Sequence, residues 1–214
     1  MEEVYHILTR SIAGFKIFNS DDDFFRMKEV LRFYQAEKQP ASFSHLNRLS
    51  IEKAHVFRNK PTDKPDGNLI EIIAYCLMPT HIHLVLRQLK DNGISKFMSN
   101  ILNSYSRYFN LKHNRKGPLW EGRFKKIMVE NDDQLLHLTR YIHLNPVTAY
   151  LVNRPEDWFA SSYHEYIMSV VQENRLCNCT YTLDTNPTSY KRFVEDNISY
   201  QRELAKIKHL AMDD

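Results

Sequence analysis

The chain is poor in glycine and cysteine, and it has no long hydrophobic run. It contains 5 glycines in 214 residues, which excludes a glycine-rich loop protein and points to a chain of regular elements. Its 3 cysteines, Cys76, Cys177 and Cys179, are odd in number and lack framework spacing. That excludes a disulfide scaffold and fits a reducing, cytoplasmic setting. Cys177 and Cys179 are too close together for an ordinary zinc site without partners, so they read as plain thiols. No apolar run reaches the roughly 20 residues of a membrane helix. The opening "MEEVYHILTR" has no signal-peptide pattern, so no membrane partner is expected. Charge imbalance is also slight: the formal net charge of +3 does not by itself argue for a polyanionic partner.

What is present is the balance of a soluble globular protein, 43% apolar and 26% charged. The length allows one domain with a real core plus an extension. The expected division is 1–155 for the main domain and 156–214 for a partly helical extension. Positive charge is concentrated in one segment. Arg107, Lys112, His113, Arg115, Lys116, Arg123, Lys125 and Lys126 stand against a single acid, Glu121, with Tyr108, Phe109, Trp120 and Phe124 between them. Cations beside aromatic faces suit a phosphate backbone with stackable bases. A solvated helix end with core aromatics explains the same residues, and the pattern alone does not choose.

The periodicity predicts the order β-α-β-β-α-β-α. Residues 4–18 are rich in β-branched and aromatic side chains and read as a strand or bent hairpin arm. Asn19 or Ser20 caps a helix carrying Phe24, Met27, Val30, Leu31 and Tyr34 at helical spacing. "NLIEIIAYCLMP" and "HIHLVLRQ" are strands joined at Pro79-Thr80; "ISKFMSNILNSYSRYFNLKH" is an amphipathic helix; "GRFKKIMVEN" is a fourth strand. "DDQLLHLTRYIHLNPV" is a third helix, and Pro146 makes Asn145 its expected last residue. The first six elements match an α+β, ferredoxin-like split βαβ sandwich, an antiparallel sheet with helices on one face. The polar stretch 39–68 reads as an insertion, with local helix around Leu46 to Phe57.

Within "MPTHIHLVL", His81 and His83 alternate with aliphatics, so they share one face of their strand while Ile82, Leu84 and Leu86 share the other. Two imidazoles side by side can bind a divalent cation. A bare His-x-His is also common by chance. Tyr141 and Asn145, one helical turn apart, supply a phenol nucleophile and an amide ligand on one face of the third helix. A phenol with an ordinary pKa near ~10 needs help to attack at neutral pH, and a bound cation would give it.

"AYCLMPTHIHLVL", "GPLWEGRFKK" and "RYIHLNPV", in that order, resemble the single-tyrosine HUH (His-hydrophobe-His) transposases. The likeness is greatest to the REP-associated tyrosine transposases of the insertion-sequence-200-like superfamily, and it covers roughly residues 4–166. It implies a ferredoxin-like nuclease acting on single-stranded or hairpin DNA with Mg²⁺ or Mn²⁺. In such enzymes the tyrosine attacks the DNA backbone, forms a 5′-phosphotyrosine and frees a 3′-OH, which permits strand transfer. By this likeness His81 and His83 are metal ligands, Tyr141 is the nucleophile, and Asn145 stands where relatives use glutamine as third ligand. DNA contacts are expected from Arg115, Lys116, Trp120, Arg123, Lys125 and Lys126. After the tyrosine the family often reads "NPVRAG"; here it is "NPVTAY", with Thr148 for arginine and Tyr150 for glycine. The expected setting is cytoplasmic and nucleoid-associated, as monomer or homodimer. Histidine ligation implies activity that fades below pH ~6.5. Other readings left open are a non-catalytic, domesticated hairpin-binding protein and a phosphohydrolase in which water attacks.

Overall fold

The computed structural model describes residues 3–38, 43, 67–167, 170, 174–181 and 187–210. Most of the expected 39–68 insertion, including the anticipated helix around Leu46 to Phe57, lies outside the described residues. The elements are β1 (Val4–Arg10), α1 (Asp21–Tyr34), β2 (Ile70–Met78), β3 (His81–Gln88), α2 (Gly93–Lys112), β4 (Lys125–Met128), α3 (Asp132–Thr148), α4 (Tyr163–Tyr166), α5 (Pro187–Glu195) and α6 (Ile198–Leu210). No described helix is long and apolar enough to cross a membrane.

The sheet runs β2-β3-β1-β4, antiparallel throughout. With α1 and α2 as the crossovers, this is the ferredoxin-like arrangement. Strand alternation divides the apolar load. Ile7, Ile82, Leu84 and Leu86 are fully buried on one face, and α1 and α2 pack together beside the sheet. The start of α1 is set locally, because the Asp23 carboxylate accepts from the backbone N–H groups of Asn19 and Ser20 at 2.9 and 3.2 Å. Lys112 at the end of α2 donates to the same fully buried Asp23 at 2.7 Å and ties the two helices together.

Two expectations are corrected. The apolar stretch 4–18 is a strand only to Arg10; a single 3-10 turn, Ile12–Gly14, follows. Helix α3 does not stop at Asn145 but runs through Pro146 to Thr148. Proline removes just one backbone donor, and here it sits in the last turn, so the helix loses little.

The histidine face of the sheet is not left open. Helix α3 lies on it, held there by the chain beyond residue 156. Along the free edge of β2, Leu77 N–H donates to Ala160 O at 2.9 Å, Ser162 N–H to Tyr75 O at 2.9 Å, and Asn178 N–H to Ile72 O at 2.9 Å. The extension thus pairs an edge that would otherwise expose unused backbone groups. From there it reaches α3. The two ring nitrogens of fully buried His143 lie 2.7 Å from Tyr190 Oη and 2.7 Å from Ser162 Oγ, and Tyr190 also donates to Thr139 Oγ1 at 3.0 Å. Glu165 completes the network, accepting from Tyr75 Oη–H and from the Leu176 and Cys177 amides.

Candidate active site

His81 and His83 do share a face of β3, a central strand of the sheet. Their ring centroids are 5.0 Å apart and nearly perpendicular. Helix α3 brings Tyr141 over them: its ring stands at 88° to His83, centroids 5.9 Å apart. All these groups come from one chain. Asn145, a turn further along α3, carries a buried Nδ2 with no hydrogen-bond partner. An amide turns end for end at little cost, so this position offers either its N–H₂ or its oxygen.

Burial governs the electrostatics. His83 is 4% exposed, and desolvation holds its pKa well below the ordinary value, with help from the positive potential of His81, His6 and Arg10. His81 is pushed down to about 4 by burial and by Arg10. Both are neutral at physiological pH and keep a lone pair for a Lewis acid. Tyr141 is pushed up by burial, an effect that Arg10 partly opposes. Its phenol is therefore harder to ionise than free tyrosine and needs positive charge close by.

Two residues at this site, His6 and Arg10, escaped the sequence reading. The register sets Arg10 opposite His81 and Leu8 opposite His83, so His6, Leu8 and Arg10 present one face of β1 to the histidine pair. His6 Nε2 lies 3.0 Å from His83 Nδ1. The signal was the period-two spacing of His6 and Arg10 in "VYHILTR", but it acquires meaning only when β1 is known to pair with β3 in this register.

Two imidazoles and an amide are a chemically competent donor set for Mg²⁺ or Mn²⁺, leaving positions for water and phosphate oxygens. The Nδ1 atoms of both histidines are engaged, His83 with His6 and His81 with Thr80 Oγ1 at 3.0 Å. The Nε2 atoms are thus the ring nitrogens that would serve a cation. Among the described residues no three or more His, Cys, Asp or Glu side chains are grouped to hold a metal ion. A cation here would therefore depend on the histidine pair, the Asn145 amide and non-protein oxygens. The residues present fit such an ion.

The expected DNA-contacting residues disperse. Arg123 and Lys125 line a small cavity of about 180 Å³ with Leu8, Thr9 and Arg10. Lys125 pairs with Leu8, which pairs with His83, so Lys125 stands in one row with the site, two strands or roughly 10 Å away. Lys126 pairs with Ile7 and points to the opposite face, its Nζ 3.8 Å over the ring of Tyr5. Lys116 is exposed in the turn after α2. Arg115 is engaged there, donating to Asn110 Oδ1 and Pro118 O. Trp120 is partly buried, its indole N–H donating to Leu102 O at 3.2 Å, and it packs on the core. The local fold thus uses Trp120 to anchor the loop between α2 and β4.

The class defined by this fold and site is a ferredoxin-like domain with a strand-borne histidine pair facing a helix-borne tyrosine. Residues 47–145, which include both histidines, Tyr141 and Asn145, match the model of the family described as "Transposase IS200 like". Over that segment the chain is similar to the IS200-like transposase family. It is 29% identical over 112 residues to a putative REP-associated tyrosine transposase of Haemophilus influenzae, a stretch covering 47% of this chain and 63% of that relative. The chain thus spans less than two thirds of that relative's length. A solved structure of a REP-associated tyrosine transposase bound to a REP hairpin is similar with a TM-score of 0.49 and 16% identity, covering 84% of this chain and 89% of the other.

Proposed function

We propose that this protein cleaves and rejoins single-stranded DNA, including strands presented by a hairpin, with Tyr141 as the nucleophile. The observation that carries this reading is the convergence of groups from distant parts of the chain. His83 on β3 and Tyr141 on α3 are in ring contact on a face where burial keeps the histidines neutral. The match of residues 47–145 to a transposase family model supports it.

In the proposed step the Tyr141 oxygen attacks a backbone phosphorus and loses its proton. The P–O3′ bond breaks, the 3′ oxygen leaves and is protonated, and the 5′ phosphate stays esterified to Tyr141. Attack by a 3′-OH reverses the exchange and joins strands without an external energy source. His81, His83 and Asn145 would hold a divalent cation, which when bound supplies positive charge to the phosphate and the developing phenolate. Arg10 adds fixed positive charge beside the tyrosine. Arg123 and Lys125 would guide the backbone toward the site. The proposed setting is the cytoplasm, where the nucleoid offers the substrate.

The test is incubation with single-stranded hairpin DNA and Mn²⁺, followed by a denaturing gel. A protein band shifted by attached DNA is the expected result. Cut DNA without an adduct would mean that water attacks; retention of uncut DNA on a native gel would indicate a binding protein that has lost its chemistry.

A further inference from the structure

His6 and His83 lie edge to edge. Their nitrogens are 3.0 Å apart, their rings are within 10° of parallel, and their centroids are 5.3 Å apart. That separation is about as long as a 3.0 Å N···N contact permits, so both nitrogens lie on the line joining the centroids. The lone-pair axes therefore point at each other. Two ligands of one cation need axes that converge at an angle on a third point. The geometry is that of a straight N–H···N hydrogen bond, and it excludes His6 as a ligand sharing an ion with His83 through these atoms.

One of the two nitrogens must carry the proton, and the choice decides what His83 can do. If His6 Nε2 donates, His83 Nδ1 accepts; neutral His83 then carries its proton on Nε2 and has no lone pair left for a cation. If His83 Nδ1–H donates, His83 Nε2 is free. We propose that His6 is a positioning residue: its Nε2 accepts from His83 Nδ1–H and so fixes both the ring orientation and the Nε2-ligand tautomer of His83. It acts through His83 and does not touch DNA or cation. This rests on the reading of His83 as a ligand given above.

The fold makes the contact possible. His6 sits diagonally across the β1–β3 ladder from His83, two residues before Leu8, which is His83's direct partner. Thr80 Oγ1 occupies the equivalent place at His81 Nδ1, 3.0 Å away. Each member of the pair thus has a fixed neighbour at Nδ1, one supplied in sequence and one across the sheet.

Two measurements on the full chain test this. Histidine ring ¹⁵N spectra of the metal-free wild-type protein should show His83 protonated at Nδ1; protonation at Nε2 would overturn the proposal. Mn²⁺ affinity, read by electron paramagnetic resonance without DNA, should fall about 10–100-fold in His6→Leu, which removes the acceptor. It should be largely restored in His6→Gln, whose side-chain oxygen can accept at similar reach. Equal Mn²⁺ affinity in His6→Leu and wild type, or no recovery in a folded His6→Gln protein, also overturns it. If the wild-type protein binds no Mn²⁺, the metal reading of the site fails, and the tautomer spectrum alone decides the role of His6.

Discussion

The ring of Tyr141 meets the ring of His83 edge to face, at 88° and 5.9 Å between centroids, although the two residues belong to different elements and different layers. A substitution that keeps the ring keeps this packing. Tyr141→Phe is therefore expected to fold normally, with a stability change no larger than one hydrogen bond, about 0.5–1.5 kcal/mol. Cleavage and covalent attachment to DNA should vanish together. His81→Ala should also abolish cleavage, but raised Mn²⁺ should recover part of it, whereas no Mn²⁺ concentration should rescue Tyr141→Phe. An adduct formed by Tyr141→Phe on a denaturing gel would place the nucleophile elsewhere.

Acid should unfold this protein through its buried histidines. His143 is pushed down to about 3 and His81 to about 4, both by burial first, while in the unfolded chain each titrates near ~6.5. Between these values the unfolded state binds more protons than the native state, so stability is full above pH ~6.5 and falls as pH drops toward 4. Each such histidine contributes a slope of about 1.4 kcal/mol per pH unit in that window. Denaturant melts of the wild type and His143→Gln between pH 7 and 4.5 should show a shallower decline in the variant; equal slopes would assign the acid sensitivity to other groups. The same depression revises the activity profile expected from ordinary histidines. Proton competition at His81 should begin well below pH 6, and cleavage at pH 5.5 should remain substantial.

The sheet and its two crossover helices were legible in the sequence because period-two and period-3.6 patterns are local. So was the pairing of His81 with His83, since strand alternation requires only one strand. What could not be read was anything dependent on which strands touch. His6 and Arg10 join the site only through the β1–β3 register, and the tail meets α3 only because residues 160–162 pair along β2. Lys125 and Lys126 looked equivalent as neighbours in a basic run, yet alternation sends them to opposite faces. Pro146 has the sequence signature of a helix stop, but the last turn of α3 tolerates it because only one backbone donor is lost there.

The tail's grip on α3 should be measurable. Tyr190 is fully buried, and its hydroxyl serves both His143 and Thr139. Tyr190→Phe leaves two buried polar groups short of a partner, and a loss of about 1–3 kcal/mol is expected by chemical denaturation. Because His143 lies two residues after Tyr141 on the same helix, the variant should also form the DNA adduct more slowly at a temperature where it is fully folded. Normal adduct kinetics would mean that the network stabilises the fold without aligning the tyrosine.

Lys125 and Lys126 separate the two faces of β4 as candidates for phosphate contact. Removing one phosphate-contacting lysine lowers the slope of log affinity against log salt by about one. Lys125→Ala should produce that change in single-stranded DNA binding, since Lys125 shares the site face with His83. Lys126→Ala should leave the slope unchanged. The reverse result would move the DNA path to the other face of the sheet.

Tyr150 has φ of 55°, the left-handed conformation that favours glycine just past the end of α3. A side chain there costs roughly 1–2 kcal/mol. The tyrosine has a partial compensation, because the Arg202 guanidinium lies 5.1 Å from its ring centroid, a contact contributing about 0.5–1 kcal/mol at an exposed position. The two effects oppose each other, so Tyr150→Gly alone should change stability little or raise it by up to about 1 kcal/mol. In an Arg202→Met background the ring has no cation to hold, and the same substitution should stabilise more. Denaturant midpoints for the four proteins of this cycle give both terms. Destabilisation by glycine in both backgrounds would show that the ring packs more favourably than its contact with Arg202 implies.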